Sequence, residues 1–418
     1  MKQTITEKIL SRVGNHPNAR AGDELIARPD FVIAYDFPGY TDVIFQQMKE
    51  EFALDKVDNP DRFALFIDHM VPAVTPKEEE LHINTRTWGK EQGVKVYERL
   101  GIGHQVSVEL GYATPGAFAV HFDGHISQLG AYGTLAIGVR RHLLEAFVKS
   151  GIQMKVPATQ RVSLTGKLGK GVMARDVFHH MIRTFGPSFA RFQVLQFTGP
   201  AYYALPLEER QTMACLAMFS GAVTAVSDPD DIALAYTQSR SRISLEPVTS
   251  DVDAIYAGNQ ELDVSNIEPI VVAPPSPANT KPLSEYKGLD LQVGYLGSCA
   301  SGRIEDLQIA ADILRGKKVR DGFQLHVIPT SQAVMAEASR RGLLTDLIEA
   351  GAFVSSPSCD YCFGRQGVMT DGQRAISTGT LNVKGRMGSV NSEIFIASAA
   401  TVAASAIEGK IADPRDYL

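Results

Sequence analysis

The chain has 418 residues, of which 44% are hydrophobic and 21% charged, and its formal net charge is −6. This acidic balance argues against a protein that binds nucleic acid through a basic surface. The N-terminus lacks the apolar core of a secretory signal, the apolar stretch at 394–407 is shorter than the ~20 residues that cross a bilayer, and four cysteines are too few for a disulfide framework. We therefore expect a cytoplasmic enzyme of two or three domains.

Short apolar runs alternate with helical patterns along the chain, which is typical of an α/β fold. The runs FVIAYDF and FALFIDH are predicted to be buried strands, and the second one leads to Asp68 and His69. Further on, KVPATQRVSLTGKL is predicted to be extended, and ARDVFHHMIRTFG is predicted to be an amphipathic helix that ends at Gly186. Because α/β proteins place their chemistry at the carboxyl ends of strands, Asp68 and His69 are candidate site residues.

Residues 264–285 are rich in proline, which removes backbone donors and disfavours helix. We predict an extended connector here and a domain boundary at its end. The first part, 1–285, is expected to be an α/β/α region of two sub-lobes that carries the Asp-His pocket residues. The second part, 286–418, is expected to be an α/β/α domain that binds a metal cluster.

After the connector, LQVGYLG is predicted to be a strand, GSCASG a turn, and RIEDLQIAADILRG a helix that stops at Gly316. Cys299 therefore lies at a helix N-terminus, whose partial positive charge favours a thiolate. Next we predict a strand in FQLHVIP, one helix over residues 331–351, and a strand in AFVSS that runs into Cys359 and Cys362. Since both cysteine sets follow strands, we expect them to converge on one crevice.

These three cysteines indicate a metal site. An iron–sulfur cluster is held by thiolates, and a chain that gives only three of them leaves one iron free to bind something else. Two alternatives stay open from spacing alone: a structural zinc site made with a histidine, and a redox CxxC pair. The fourth cysteine, Cys215, lies in the apolar run TMACLAMFSG and is predicted to be a buried apolar residue.

Several motifs resemble the aconitase superfamily. GSCASGRIEDLQIAA, SCDYCFG, GRMG and EIFIASAATVAASAIEGKIADPRD are similar to its cluster domain, and most similar to the branch that contains the large subunits of 3-isopropylmalate dehydratase and homoaconitase. The segments DHMVP, GIGHQV, PGAFAVHFDGH, VPATQRVSLTGKL and IEPIVVAPPSPANTKP follow in the family's order. The resemblance implies an α/β fold of aconitase-like three-layer α/β/α domains, without the family's swivelling domain.

The resemblance also implies roles for individual residues. Cys299, Cys359 and Cys362 match the ligands of a 4Fe-4S cluster whose open iron binds the substrate's hydroxyl and carboxylate. The remaining matches are catalytic residues beside the cluster, namely Asp68, His69, His104, Asp123 and His125. A histidine held by a carboxylate is suited to donating a proton to a departing hydroxide.

Arg303, Arg386 and Ser301 are the predicted substrate-binding residues. A guanidinium group offers a bidentate fork to a carboxylate, which is why the two arginines are selected. Only Arg386 lies in a motif associated with substrate binding. Arg303 begins a predicted helix, so a surface ion pair is the alternative for it.

The sequence departs from the family pattern at several pocket positions. The family's Asp-Ser-His is here Asp123-Gly124-His125, and an Asn and a Glu of the family are replaced by Cys215 and Phe219. The family's Ser-Asn-Arg-Asn-Phe is replaced by Gly379-Thr380-Leu381-Asn382-Val383. The GVG segment, which the family continues with small residues, continues here as Gly138-Val139-Arg140-Arg141. These changes make the pocket less polar, while Arg140 or Arg141 is expected to restore a positive charge elsewhere. The preferred substrate should therefore lack one carboxylate of the common family substrates, or present it at another angle.

The sequence ends at Leu418 without the swivelling domain, so we expect a separate small subunit to supply that domain and its serine base. The leading hypothesis is the large subunit of a hydro-lyase that acts on a small 2-hydroxy di- or tricarboxylic acid. A second is a specialised paralogue for a substituted malate such as 2,3-dimethylmalate. A third is a cluster-bearing sensor or binding protein without turnover.

Overall fold

The computed structural model describes residues 2–36, 40–148 and 151–418. The strands are β1 Glu24–Ala27, β2 Phe31–Tyr35, β3 Phe63–Ile67, β4 Lys95–Glu98, β5 Phe118–His121, β6 Leu135–Gly138, β7 Ile152–Lys155, β8 Thr159–Thr165, β9 Val194–Thr198, β10 Thr224–Ala225, β11 Gly258–Asp263, β12 Ile270–Val272, β13 Thr280–Pro282, β14 Val293–Leu296, β15 Gln324–Val327, β16 Phe353–Val354, β17 Arg374–Ser377 and β18 Glu393–Ile396. The helices are α1 Ile5–Val13, α2 Tyr40–Phe52, α3 Pro76–Gln92, α4 Gly103–Glu109, α5 Leu143–Val148, α6 Ala174–Phe185, α7 Pro200–Tyr203, α8 Leu207–Leu216, α9 Asp231–Gln238, α10 Ile304–Leu314, α11 Gln332–Arg340, α12 Leu343–Ala350 and α13 Ala399–Glu408.

The first sheet is parallel and has the strand order β4-β3-β2-β5-β6. Its central strands β2 and β3 are buried along their whole length, as expected for continuous apolar runs covered on both faces. Side chains from α1 and α5 pack on one face, and side chains from α4 and from the 3₁₀ turn after β5 pack on the other. The two predicted strands in this region are confirmed.

A second parallel sheet follows, with the order β10-β9-β8-β11. Helices α6 and α8 pack beside it in a core that is continuous with one face of the first sheet. The predicted amphipathic helix is confirmed as α6, and the backbone N–H of Gly186 closes its last turn on the carbonyl of Ile182. Strands β1 and β7 form a separate antiparallel pair.

The third sheet has the order β13-β12-β18-β17-β14-β15-β16, with β12 antiparallel to β13 and β18 and the other pairs parallel. One face packs against α10, α12 and α13, while Tyr361, Met369 and Met387 cover the other. The proline-rich segment is extended but contributes β12 and β13 to this sheet. The division into 1–285 and 286–418 stays a prediction.

One predicted element is wrong. The helix expected over residues 331–351 is two helices, α11 and α12, which are separated at Gly342. Gly342 has a φ of 76°, a left-handed conformation that ends a right-handed helix and that glycine adopts without strain. Ala338 and Leu343, the buried residues on either side of the break, are five positions apart, a spacing that would place them on different faces of one continuous helix.

The candidate site residues follow the carboxyl ends of parallel strands. Asp68 follows β3, Asp123 follows β5, Cys299 follows β14, and Cys359 follows β16. The expected α/β architecture of parallel sheets flanked by helices is thus confirmed. No helix in the described ranges combines the length and the apolar character that a membrane span requires.

Candidate active site

A cavity of about 420 Å³ brings together most of the candidate residues. Its lining contains the three cysteines and five other residues selected from the sequence, namely Cys299, Cys359, Cys362, His69, His104, Asp123, His125 and Arg386. Asp68 lies behind His69, to which it is hydrogen-bonded. The predicted convergence of the two cysteine sets on one crevice is therefore confirmed.

Asp68 holds His69 in a fixed orientation. The Nδ1 of His69 donates to Oδ1 of Asp68 at 2.6 Å, and the backbone N–H of Gly103 donates to Oδ2 at 2.6 Å. A side chain at position 103 would interfere with this approach, because its Cβ would lie 2.8 Å from Cβ of Phe66. Although burial opposes both charges, the pairing lowers the pKa of Asp68 and raises the pKa of His69.

Asp123 and His125 form a second carboxylate–histidine pair. Oδ1 of Asp123 accepts from the backbone N–H of His125 at 2.8 Å and from its Nδ1 at 2.9 Å. Burial alone would lower the pKa of His125, but the Asp123 carboxylate raises it to about 9. Nε2 of His125 is buried and has no hydrogen-bond partner among the described residues. This nitrogen is therefore available to a molecule bound in the cavity.

Two aromatic neighbours complete this wall, and the sequence patterns did not single them out. Tyr35 lies 4.8 Å from the ring of His69 and 5.0 Å from the ring of His121, measured between centroids. Burial raises the pKa of Tyr35 and lowers the pKa of His121 to about 3. His104 is buried with neither ring nitrogen bonded to a described residue, and burial lowers its pKa as well. His104 and His121 are therefore neutral near pH 7.

Asp360, between the two cysteines of the CxxC pair, joins the cysteine turn to the Asp68–His69 loop. Its Oδ1 accepts from the backbone N–H of Met70 at 2.6 Å, and its Oδ2 accepts from the backbone N–H of Val71 at 3.0 Å and from Oγ of Ser358 at 2.7 Å. Arg365 donates to the same carboxylate at 3.2 Å. Asp360 is fully buried. Sequence reasoning missed it, although its place between two candidate ligands was a signal.

The cysteines form a donor set that fits an iron–sulfur cluster. Cys299 is buried, and Cys359 and Cys362 are half-buried. The thiols of Cys359 and Cys362 share a hydrogen bond that raises the pKa of Cys359 and, together with the charge of Arg386, lowers the pKa of Cys362 to about 7. Three soft sulfur donors in one enclosed cavity suit iron–sulfur ligation. Within the described ranges, no three His, Cys, Asp or Glu side chains are grouped closely enough to hold a single metal ion.

Comparison with known proteins agrees with this geometry. The model of the aconitase family (aconitate hydratase) matches residues 7–288 and 279–409. The chain belongs to the aconitase family. It is 37% identical to the 3-isopropylmalate dehydratase large subunit 1 of Methanopyrus kandleri, over 100% of both chains, and 35% identical to the 3-isopropylmalate dehydratase large subunit of Aquifex aeolicus, over 100% of this chain and 98% of the other. The family assignment makes the chain a hydro-lyase.

A solved structure shares the fold. The holo-form of Thermococcus kodakaraensis aconitase X superposes with a TM-score of 0.52 at 12% sequence identity, and the match covers 90% of this chain and 88% of that one. At this identity the likeness concerns the fold alone. It agrees with the aconitase-like α/β architecture expected from the sequence.

Arg303 and Ser301 do not reach the cavity of this aconitase-family chain. Arg303 is fully buried, and its guanidinium group donates to Gln105 at 3.0 Å, Thr212 at 2.9 Å, Gln128 at 2.9 Å and the carbonyl of Cys299 at 2.8 Å. These contacts use the guanidinium N–H donors that a substrate carboxylate would need. Arg303 therefore does not form the surface ion pair that the sequence left as an alternative. Ser301 is buried beside it, and its hydroxyl has no described partner. Arg303 instead fixes the backbone at Cys299.

Arg386 does reach the cavity, and its Nε is buried without a partner among the described residues. Several positions that depart from the family pattern line the same space, namely Gly124, Arg140, Thr380 and Leu381. Phe219 does not line it but packs behind His125, with 6.0 Å between ring centroids. Its neighbour Met218 takes that place in the lining. Arg141 has a side chain outside the described part of the structure.

Proposed function

We propose that the chain is the cluster-bearing large subunit of a hydro-lyase that removes and re-adds water on a small 2-hydroxy di- or tricarboxylic acid. One observation carries the proposal. A single cavity contains three thiols, two histidines held by carboxylates, and an arginine with an unpartnered Nε. The cytoplasmic location of the protein stays a prediction.

Cys299, Cys359 and Cys362 are the residues that would hold a 4Fe-4S cluster. When bound, the cluster supplies a Lewis acid for the hydroxyl and one carboxylate of the substrate. Arg303 and Asp360 fix the backbone around these ligands through the bonds to the carbonyl of Cys299 and to the loop of Met70 and Val71. Such supporting contacts orient ligands before any metal binds.

The surrounding side chains bind the substrate and move a proton. Arg386 binds a substrate carboxylate with its free donors, because a guanidinium group pairs with a planar anion. In each carboxylate–histidine pair, Nδ1 is occupied by the aspartate, so the transferable proton is held at Nε2 of His69 or His125. That proton neutralises the departing hydroxide. Burial keeps His104 neutral beside them.

The base that takes the proton from carbon is proposed to come from a partner. The relatives in Methanopyrus kandleri and Aquifex aeolicus are named as large subunits. We infer a small swivel-domain subunit that supplies a serine base and closes the cavity. Closure would exclude water and complete the positioned site.

The cavity lining favours a substituted malate over a tricarboxylic acid such as citrate. Leu381 and Met218 present apolar surface to the space, and no side chain hydroxyl stands at Gly124. A substrate carboxylate placed against Leu381 would be left unpaired, a penalty of about 1–3 kcal/mol. We therefore infer a malate with small apolar substituents, such as 2,3-dimethylmalate, as a better substrate than the tricarboxylic acid citrate.

Anaerobic reconstitution with iron and sulfide, in the presence of the small subunit, tests the proposal. We expect brown absorbance, and an ultraviolet signal from the new double bond when a 2-hydroxy diacid is added. Activity should be lost in air, because an iron without a protein ligand is the easiest to lose. Cluster formation with no turnover of any hydroxy acid would favour the sensor hypothesis. One zinc ion per chain without iron would refute both the hydro-lyase and the sensor hypothesis, because both require the cluster.

A further inference from the structure

Arg140 is a cavity residue that the proposed mechanism does not use. It follows β6, at the carboxyl edge of the first sheet, where the backbone N–H of Val139 still pairs with the carbonyl of His121 at 2.7 Å. Arg140 then turns the chain with a φ of 47°. This left-handed conformation is unfavourable for an arginine, and such residues concentrate at sites where the structure requires a particular side-chain direction.

Arg140 lies at the solvent-exposed part of the cavity lining. Arg140 contributes to the lining together with the three cysteines, and it is also exposed to solvent. Among the described residues it has neither a hydrogen bond nor an ion pair, in contrast to Arg303. The lining also includes the carboxylate of Asp123, which is already engaged by His125. Among the described residues, no carboxylate pairs with Arg140 in the cavity that it lines together with the candidate catalytic side chains.

A second free arginine lines the cavity from another part of the chain. Arg386 belongs to the segment that follows β17 of the third sheet, whereas Arg140 extends from the first sheet. Apolar side chains contribute to the same lining, namely Phe122, Met218, Phe363 and Leu381. The cavity therefore offers two separate anion-binding groups and an apolar surface.

We propose that Arg140 binds a second carboxylate of the substrate, so that the ligand is a four-carbon diacid backbone bound at one end by Arg386 and at the other by Arg140. This inference rests on the proposed function and adds a specificity residue to it. A guanidinium group at the rim of a partly enclosed cavity favours an anion over a neutral isostere. An apolar substituent on the backbone would contact Leu381 and Met218.

Succinate and its monoamide, succinamate, are the probes that test this assignment. Both lack the reacting hydroxyl, so binding is measured without turnover, by titration calorimetry on the anaerobically reconstituted protein with its small subunit. The native protein should bind succinate about tenfold more tightly than succinamate, which corresponds to one charge-assisted interaction. Arg140→Gln should remove this preference by weakening succinate alone, and Arg140→Glu should weaken succinate further.

Arg28→Gln is the matched control. Arg28 is also exposed, and its side chain has no hydrogen-bond or ion-pair partner among the described residues, but it precedes β2 at the opposite edge of the same sheet. This variant should keep the native preference, and all variants should keep the native circular dichroism spectrum. An unchanged preference in Arg140→Gln, or a native protein that does not distinguish the two probes, overturns the assignment.

The outcomes separate this inference from the proposed function. If hydroxy acids are turned over but Arg140→Gln keeps the native preference, the function stands and the role of Arg140 falls. If succinate binding depends on Arg140 but no hydroxy acid is turned over, the diacid subsite stands and the hydro-lyase activity falls.

Discussion

Replacing Asp360 should separate the cysteine turn from the Asp68–His69 loop. The carboxylate is fully buried and accepts from Met70, Val71 and Ser358 at 2.6, 3.0 and 2.7 Å. In Asp360→Asn one oxygen becomes an NH₂ group, which faces N–H donors whichever way the amide is placed. The least costly placement keeps the bonds to Val71 and Ser358 and leaves the N–H of Met70 unpaired.

The magnitude follows from these contacts. One buried, unsatisfied donor costs about 1–3 kcal/mol, and the weakened bond from Arg365 adds to this cost. We expect Asp360→Asn to lower the free energy of unfolding of the protein by about 2–3 kcal/mol. Asp360→Ala leaves both Met70 and Val71 unpaired and should be worse. Since the same bonds position Cys359 and Cys362, iron should also be lost faster from the reconstituted variant.

Anaerobic urea titration followed by circular dichroism measures the stability, and release of iron to a chelator measures retention. Asp371→Asn is the matched control, because Asp371 is an exposed aspartate of the same region that accepts bonds from Ser389 and Asn391. It should change neither quantity. If Asp360→Asn unfolds at the native urea concentration and keeps iron as long as the native protein, Asp360 does not link the two segments.

Four further predictions concern other parts of the molecule. Cys359→Ser should lower the iron content after reconstitution, whereas Cys215→Ser should keep it, because Cys215 is buried outside the cavity lining; equal iron in both would contradict the ligand assignment. Arg303→Met should destabilise the protein by about 3–5 kcal/mol in urea titration, because removing a buried charge leaves its partners unpaired. A smaller effect than that of Arg341→Met on the surface would refute the structural role of Arg303. Leu381→Arg should shift kcat/KM from 2,3-dimethylmalate towards citrate by about tenfold or more; if the unmodified enzyme already turns over citrate above ~10⁴ M⁻¹s⁻¹, the changed pocket is neutral. Burial raises the pKa of Glu209 from 4.5 to about 8, so the ionisation of Glu209 destabilises the folded state as the pH rises between these values. The free energy of unfolding of Glu209→Gln should therefore increase relative to that of the native protein from pH 5 to pH 8. A difference in free energy of unfolding that stays constant over this range would contradict the prediction.

Much of the site could be predicted because its residues follow strands. The apolar runs before Asp68 and before Cys299 indicate strands by themselves, and parallel strands bring their carboxyl ends to one edge. The resemblance to the aconitase family then selected three cysteines as candidate ligands, and the structure places all three around one cavity. The convergence of the strand ends needed only local pattern and the general geometry of α/β sheets.

The positions of the arginines could not be predicted in this way. Arg303 and Arg386 carry the same group, and each follows a candidate ligand in the sequence. Packing decides between them: Gln105, Thr212 and Gln128 come from three other segments and enclose Arg303, while no described residue pairs with Nε of Arg386. Partners up to 198 residues apart leave no local signal.

The sequence by itself determined the α/β class and the strand-end position of the candidate residues, because apolar periodicity and residue type act over a few neighbouring positions. Only the tertiary structure decided that Asp360 joins two loops, that Arg303 supports Cys299, and that Arg140 lines the cavity. Each of these depends on hydrogen bonds or contacts between segments that meet only after the sheets have packed, and burial then fixes which polar groups are satisfied and which remain free to bind.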